Sequence, residues 1–183
     1  MDKDRELALV RECQRGDRQA LDKLVRHFEK AVFNAAYRML GNGDEAADVS
    51  QTTFMKVFAN LGRYDPQYRL FSWLYRIALN ESISQLKRRR PNEPLDAALE
   101  SARDAVDDSV AASERCDEVQ AALMELNEDY RTVIVLRYFT DCSYRQISEI
   151  LGLPEKTVKS RLYSARQEMK GRLHSHGISS CEQ

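Results

Sequence analysis

Between Tyr64 and Tyr75 lie five aromatic residues, Tyr64, Tyr68, Phe71, Trp73 and Tyr75, interleaved with Arg69 and followed by Arg76. Flat rings beside fixed cations suit unpaired bases, which need stacking surfaces and a neutralised backbone. A loop of such residues can also hold a base pulled from its stack. Asn80, one helical turn beyond Arg76, carries an amide able to read a base edge. The competing use of these rings is as core. Both are expected here, with Trp73 partly in the core and the loop aromatics more exposed.

A second chemistry-bearing stretch lies near the C-terminus. Ser143-Tyr144-Arg145-Gln146 matches S-x-x-Q, a capping box that opens a short helix. Ile147, Ile150 and Leu151 fall on its inner face, Gly152 ends it, and Leu153-Pro154 starts another helix. That next helix turns Val158, Leu162, Ala165 and Met169 inward. Lys156, Thr157, Lys159, Ser160, Arg161, Tyr163, Ser164 and Arg166 are left mostly outward. A short helix, a glycine turn and a longer basic helix form the helix-turn-helix pattern. Lys and Arg can meet phosphate or guanine, Ser either base, and Tyr can stack. An ordinary helical hairpin with a solvated basic face has the same spacing, and charge is what weighs against it.

The 183 residues carry 28 basic and 29 acidic side chains, a net charge of −1, but the charges are segregated. Residues 61–90 are net +5, residues 91–118 net −7 and residues 131–172 net +5. Two basic blocks separated by an acidic stretch point to two surfaces for polyanions.

The elements that must position these residues are helical. Seven glycines and four prolines are few for the length, and no stretch sustains β-branched alternation. Gly16-Asp17 reads as a helix stop followed by an N-cap, and Ala20, Leu21, Leu24, Val25 and Phe28 repeat with a helical period. Gly41-Asn42-Gly43 is a turn, with Asp44 as cap of a helix reaching about Leu61. Gly62 to Phe71 is a loop, and Ser72 to Arg90 a helix. Pro91-Asn92-Glu93-Pro94 ends it, and residues 95–112 hold too few large apolar groups to fold alone. The fold class is therefore all-α: a helical bundle over 1–90, an acidic flexible linker over 91–112, a helix-turn-helix domain over 113–173 and a disordered tail over 174–183.

Several functions are disfavoured. No apolar run is long enough to span a bilayer, and the N-terminus lacks the apolar core of a signal peptide, so a cytoplasmic protein with no membrane role is expected. Cys13, Cys116, Cys142 and Cys181 form no CxxC pair, which fits reduced thiols. With three histidines, no glycine-rich phosphate loop and no nucleophile elbow, neither enzymatic activity nor a cofactor is expected. His174 and His176 with Cys181 could clip a metal, but a frayed polar tail is the preferred reading and no metal site is expected.

Asp48-Val49-Ser50-Gln51-Thr52-Thr53-Phe54-Met55-Lys56-Val57-Phe58, then Trp73-Leu74-Tyr75-Arg76-Ile77-Ala78-Leu79-Asn80, then Thr157 to Arg166 within the helix-turn-helix, follow a familiar order. Over residues 5–172 the chain resembles the two-domain bacterial sigma factors of the extracytoplasmic-function (ECF) group. The resemblance implies a dissociable subunit of RNA polymerase that recognises promoters. Its first domain would grip the polymerase clamp through Asp48, Gln51, Thr52 and Met55. The same domain would melt the −10 element, with the loop Gly62–Phe71 (Tyr64 included) and Asn80 as the pocket for a flipped base and Arg76 as a further DNA-binding residue. Its second domain would sit on the polymerase flap and read the −35 element through Lys159, Ser160, Tyr163 and Ser164, with Arg137 and Arg161 towards the backbone. The acidic linker is similar to the segment that threads the polymerase's RNA path. A helix-turn-helix regulator that binds DNA without polymerase is the alternative.

One departure from the family pattern carries an expectation of its own. Where members have D-A-E-D-x-x-Q-E, this chain reads Glu45-Ala46-Ala47-Asp48-Val49-Ser50-Gln51-Thr52, short of two carboxylates. Phosphate on Thr52, with Thr53 or Ser50 as fallback sites, would return about −1.5 to −2 of charge. The expected controlling partner is a Ser/Thr kinase or an anti-sigma factor.

Overall fold

The computed structural model describes residues 3–89 and 110–175, and every regular element among them is helical. Four helices form a first unit: α1 (Lys3–Gln14), α2 (Arg18–Leu40), α3 (Gly43–Ala59) and α4 (Leu70–Arg88). A second unit holds α5 (Val110–Glu125), α6 (Glu128–Ile134), α7 (Tyr144–Leu151) and α8 (Glu155–Ser175). Of the expected linker, residues 91–109 lie outside the described set, and α5 begins at Val110. His174 and Ser175 still belong to α8, so that helix reaches two residues into the expected tail; His176 and Cys181 lie outside the described residues.

Local chemistry sets most helix ends. Asp17 caps α2, its carboxylate accepting from the Gln19 (2.8 Å) and Ala20 (3.3 Å) amides. Gly41 ends α2 in the left-handed region at φ 70°, where a side chain would be strained. The cap of α3 is Asn42, which accepts from the Glu45 amide at 3.0 Å; Asp44, expected as the cap, is instead an exposed residue of the first turn. Its charge still favours that end of the helix dipole. The helix expected from Ser72 starts earlier, at Leu70, and Arg69 offers it no side-chain cap. The cap comes from another helix. Glu6 of α1, 2% exposed, accepts from the Leu70 amide (3.4 Å) and from Nε and an outer nitrogen of Arg69 (3.1 and 2.7 Å).

The apolar stripes of these helices merge into two clusters. One lies inside the first unit and includes Val10, Leu24, Phe28, Phe54, Val57, Leu70 and Leu74. The other crosses between units: Ala36, Met39, Leu40, Tyr75 and Leu79 pack in the same cluster as Leu123, Leu126, Ile147, Ile150 and Leu162. Each fully buried leucine in it contributes about 1.5–3 kcal/mol. Polar bonds reinforce the junction. Arg38 of α2 donates to Gln120 of α5 (3.0 Å), and Arg131 of α6 donates to the Met39 carbonyl at the end of α2 (2.7 Å).

Candidate nucleic-acid interface

The helix-turn-helix forms where its local signals put it. Ser143 accepts from the Gln146 amide (3.3 Å) while the Gln146 side chain accepts from the Ser143 amide (2.7 Å), closing the capping box. Gly152 adopts φ 65°, and its amide and that of Leu153 both return to the Ser148 carbonyl. The Ser148 hydroxyl donates to the Leu153 carbonyl at 2.5 Å. Ser148 therefore fixes the turn from both sides, a role no motif signals.

Val158, Leu162, Ala165 and Met169 seat α8 on the core. Its opposite face presents Lys156, Lys159, Ser160, Tyr163 and Arg166, with Tyr163 60% exposed. Ser164 is half-buried at the edge of this face. Arg161 turns sideways onto Asp129 at 3.1 Å. Arg137 belongs to a π turn (Val135–Phe139), donates to the Cys142 carbonyl (3.0 Å) and stacks 5.4 Å from the Tyr144 ring centre. Lys159 lies 5.8 Å from the same ring, so Tyr144 joins the two cations into one surface.

Where the first unit meets α7, a cleft of about 200 Å³ is lined by Arg63, Tyr64, Asp65, Tyr68, Ser72, Trp73, Arg76 and Glu149. Trp73 is half-buried, and Tyr68 is exposed. Tyr64 departs from the expected exposure of the loop rings. It is only 8% exposed, packs 5.6 Å from Trp73 and donates its hydroxyl to the Tyr68 carbonyl (2.7 Å). Burial pushes its phenol pKa up. The apolar demand of a small bundle claims this ring as a wall. Asn80 is exposed and lines a neighbouring cleft with Arg76, Leu79, Ile83, Ile150, Leu151 and Gly152.

The outer face of α3 brings together Asp48, Gln51 and Met55, all exposed, with Thr52 half-buried beside them. Met55 is 64% exposed, a large apolar side chain inside a polar patch. Ala47 is exposed on the same helix, and Arg89 binds both carboxylate oxygens of Glu45. The fallback positions do not share this surface. Thr53 is fully buried and donates its hydroxyl to the Val49 carbonyl (2.7 Å), and Ser50 is buried. Helical periodicity turns both inward with Ala46, Val49 and Val57, so neither hydroxyl is open to modification.

Among the described residues no group of three or more His, Cys, Asp or Glu could hold a metal ion, and no helix is long and apolar enough to cross a membrane.

Family models match both units: Sigma-70 region 2 over residues 24–91 and Sigma-70 region 4 over residues 116–169. The chain is 32% identical over 176 residues to the ECF RNA polymerase sigma factor SigW of Bacillus subtilis (strain 168), covering 90% of this chain and 94% of that protein. It is 34% identical over 172 residues to the RNA polymerase sigma-H factor of Pseudomonas aeruginosa, covering 87% and 89%. Its fold matches CnrH, solved in complex with the cytosolic domain of CnrY, with a TM-score of 0.75 at 26% identity over 95% of this chain and 99% of that one. It also matches RpoE of Bartonella quintana, solved with the anti-sigma factor NepR, with a TM-score of 0.67 at 27% identity over 84% and 96%. Two family models in sequence, carried by two helical units and matched along nearly the whole chain by curated relatives, make this protein a member of the ECF RNA polymerase sigma factors.

Proposed function

We propose that this sigma factor divides promoter recognition between its two helical units. The first, residues 1–90, binds the polymerase clamp through Asp48, Gln51, Thr52 and Met55 of α3 and opens the −10 element. There Arg76 holds backbone, Asn80 reads an edge, Tyr68 offers a stacking face, and Tyr64 supports the cleft from behind. The second unit, 113–173, sits on the polymerase flap and reads the −35 element with Lys159, Ser160, Tyr163 and Ser164, while Arg137 and Arg161 flank the backbone. The observation that carries this reading is the outward face of α8, basic and hydroxyl-bearing on a helix whose other side seats Val158, Leu162, Ala165 and Met169 on the core.

Control is assigned to Thr52. The α3 face keeps exposed Asp48 but has Ala47 and Thr52 where the family has carboxylates, and Glu45 is neutralised by Arg89. A phosphate on Thr52 adds about −1.5 to −2 of charge and three acceptor oxygens. A Ser/Thr kinase is thus the proposed activator. RpoE of Bartonella quintana was captured with the anti-sigma factor NepR, which makes an anti-sigma protein the second candidate regulator.

The test is a reconstituted holoenzyme with two sets of variants. Lys159→Ala or Ser160→Ala weakens binding to the −35 half alone, by about 1–3 kcal/mol for a good base contact. Asn80→Ala lowers permanganate reactivity of unpaired −10 thymines and leaves −35 affinity intact. Equal losses in both assays for both sets would contradict the division.

A further inference from the structure

The Sigma-70 region 2 model begins at residue 24, so α1 lies outside the residues it matches. The buried residues of α1 are Glu6, Val10 and Cys13, spaced i, i+4 and i+7 on one helical face. That helix meets the loop assigned to the −10 element at both of its ends. At the start of the loop, exposed Gln14 donates its side-chain amide to the Leu61 carbonyl (2.9 Å). At the far end, Glu6 accepts from Nε and an outer nitrogen of Arg69 and from the Leu70 amide. Lys3 adds a contact to the Gln67 carbonyl at 3.4 Å. Between these anchors, Leu61, Tyr64 and Leu70 share one apolar cluster with Val10 and Cys13.

Stability alone does not call for a carboxylate at position 6. Its side chain is 2% exposed, and an apolar pair of similar volume often stabilises a fold as well as a buried ion pair does. What the carboxylate adds is direction, because its two oxygens fix the Arg69 fork and the first turn of α4 together. Arg69 also lies 5.6 Å from the Phe71 ring centre. Its cation, which a place among the aromatics suggests for the DNA backbone, thus shapes the loop. Glu6 and Gln14 lie about 12 Å apart along α1, so one rigid helix sets the distance between the two ends of the loop.

We infer that α1 is the positioning element of the −10 loop, with Glu6 and Gln14 holding residues 61–70 in the shape that meets an unpaired base. The inference rests on the division of labour proposed above. Neither residue lines the aromatic cleft, so both act through the loop that presents Tyr64 and Tyr68 there. A loop released at either end samples other shapes, and apparent affinity for the base falls with the fraction that remains competent. The loss is confined to the −10 element. Val158, Leu162, Ala165 and Met169 seat the −35 helix in the other apolar cluster, which contains no residue of α1.

The experiment uses the full chain with core RNA polymerase in excess and a DNA duplex pool randomised across the −35 and −10 segments. Sequencing the DNA recovered in open complexes gives base enrichment at both segments for wild type, Glu6→Gln and Gln14→Ala. A general loss of folded protein lowers recovery but leaves both preferences as they are, so a merely structural role does not separate the two segments. The expected result is a −10 enrichment reduced about tenfold by Glu6→Gln, the size of one good base contact. Gln14→Ala, which removes one hydrogen bond, reduces it about threefold. Enrichment at −35 stays unchanged in both. An unchanged −10 preference in either variant, or an equal fall at both segments, overturns the inference. Should Glu6→Gln fail to fold, Gln14→Ala decides alone, since Gln14 is exposed and lies outside the apolar cluster. A selective wild type with equally selective variants sinks the role of α1 alone; a wild type without −10 enrichment sinks the reading beneath it.

Discussion

Arg131 of α6 donates to the carbonyl of Met39, the penultimate residue of α2, at 2.7 Å. The same guanidinium binds the carbonyls of Leu123 (2.9 Å), Met124 (2.6 Å) and Leu126 (2.9 Å) at the end of α5. One buried cation thus satisfies the C-terminal carbonyls of two helices from two units, where the macrodipole favours positive charge. Burial, with Arg89 nearby, lowers its pKa to about 10, which leaves it charged at neutral pH.

Replacing Arg131 by Met preserves bulk but takes a charged donor from four carbonyls, of which only that of Leu123 keeps a backbone partner, the Leu126 amide at 3.2 Å. A loss of roughly 3 kcal/mol or more in urea unfolding is expected, since each unsatisfied buried group costs about 1–3 kcal/mol. Arg131→Lys, with one nitrogen centre instead of a planar fork, falls between the two. A Met variant as stable as wild type would mean that water replaces every bond.

Glu6 ties α1 to the loop before α4. Glu6→Gln keeps the shape but removes the charge that the Arg69 fork and the start of α4 both use. Because Arg69 is partly exposed, the expected cost is about 1–3 kcal/mol, below that of breaking a fully buried pair. Proteolysis within residues 62–69 should accelerate in the variant, and an unchanged rate would contradict the pinning.

Thr52 is tested by core-polymerase affinity and promoter output for wild type, Thr52→Ala, Thr52→Glu and Ala47→Glu/Thr52→Glu. Unmodified wild type and Thr52→Ala should both be weak, the single Glu a partial rescue and the double variant the stronger one, since one Glu carries about half the charge of a phosphate. Full activity of unmodified wild type and of Thr52→Ala would remove the switch.

Tyr75, packed at the junction, has its phenol pKa pushed up to about 12 by burial, with a smaller contribution from Cys142. A phenol raised above its unfolded value of 10 contributes stability that is fully present below pH 10 and lost as pH rises to about 12. Tyr75→Phe removes that loss. The gap in stability between wild type and Tyr75→Phe should therefore change across pH 10–12 and stay constant from pH 7 to 9. Parallel curves throughout would contradict the assignment.

Features encoded within a few residues are legible in the amino-acid sequence itself. The Ser143–Gln146 box, the Gly152 stop and the inward stripe of Val158, Leu162, Ala165 and Met169 all depend on neighbours in the chain. The α3 cap is ambiguous at that level, because Asn42 and Asp44 are equally good acceptors two residues apart and only backbone geometry chooses between them. The burial of Tyr64 is hidden for a different reason: a loop aromatic carries no sign of the Trp73 ring that covers it. The roles of Arg131 and Glu6 share a third reason. Each partner is a backbone group or side chain at least 63 residues away, except the α5 carbonyls, and carbonyls have no sequence signature.

The most direct measurement is specific transcription by core RNA polymerase with and without this protein, scored together with permanganate footprinting and with a gel shift of the protein alone. The account predicts weak binding of promoter duplex by the protein alone, because two small domains make few phosphate contacts. With core polymerase and the Ala47→Glu/Thr52→Glu chain it predicts a salt-sensitive, sequence-specific complex with open −10 thymines. Tight promoter binding without polymerase, or no opening with it, would contradict the account.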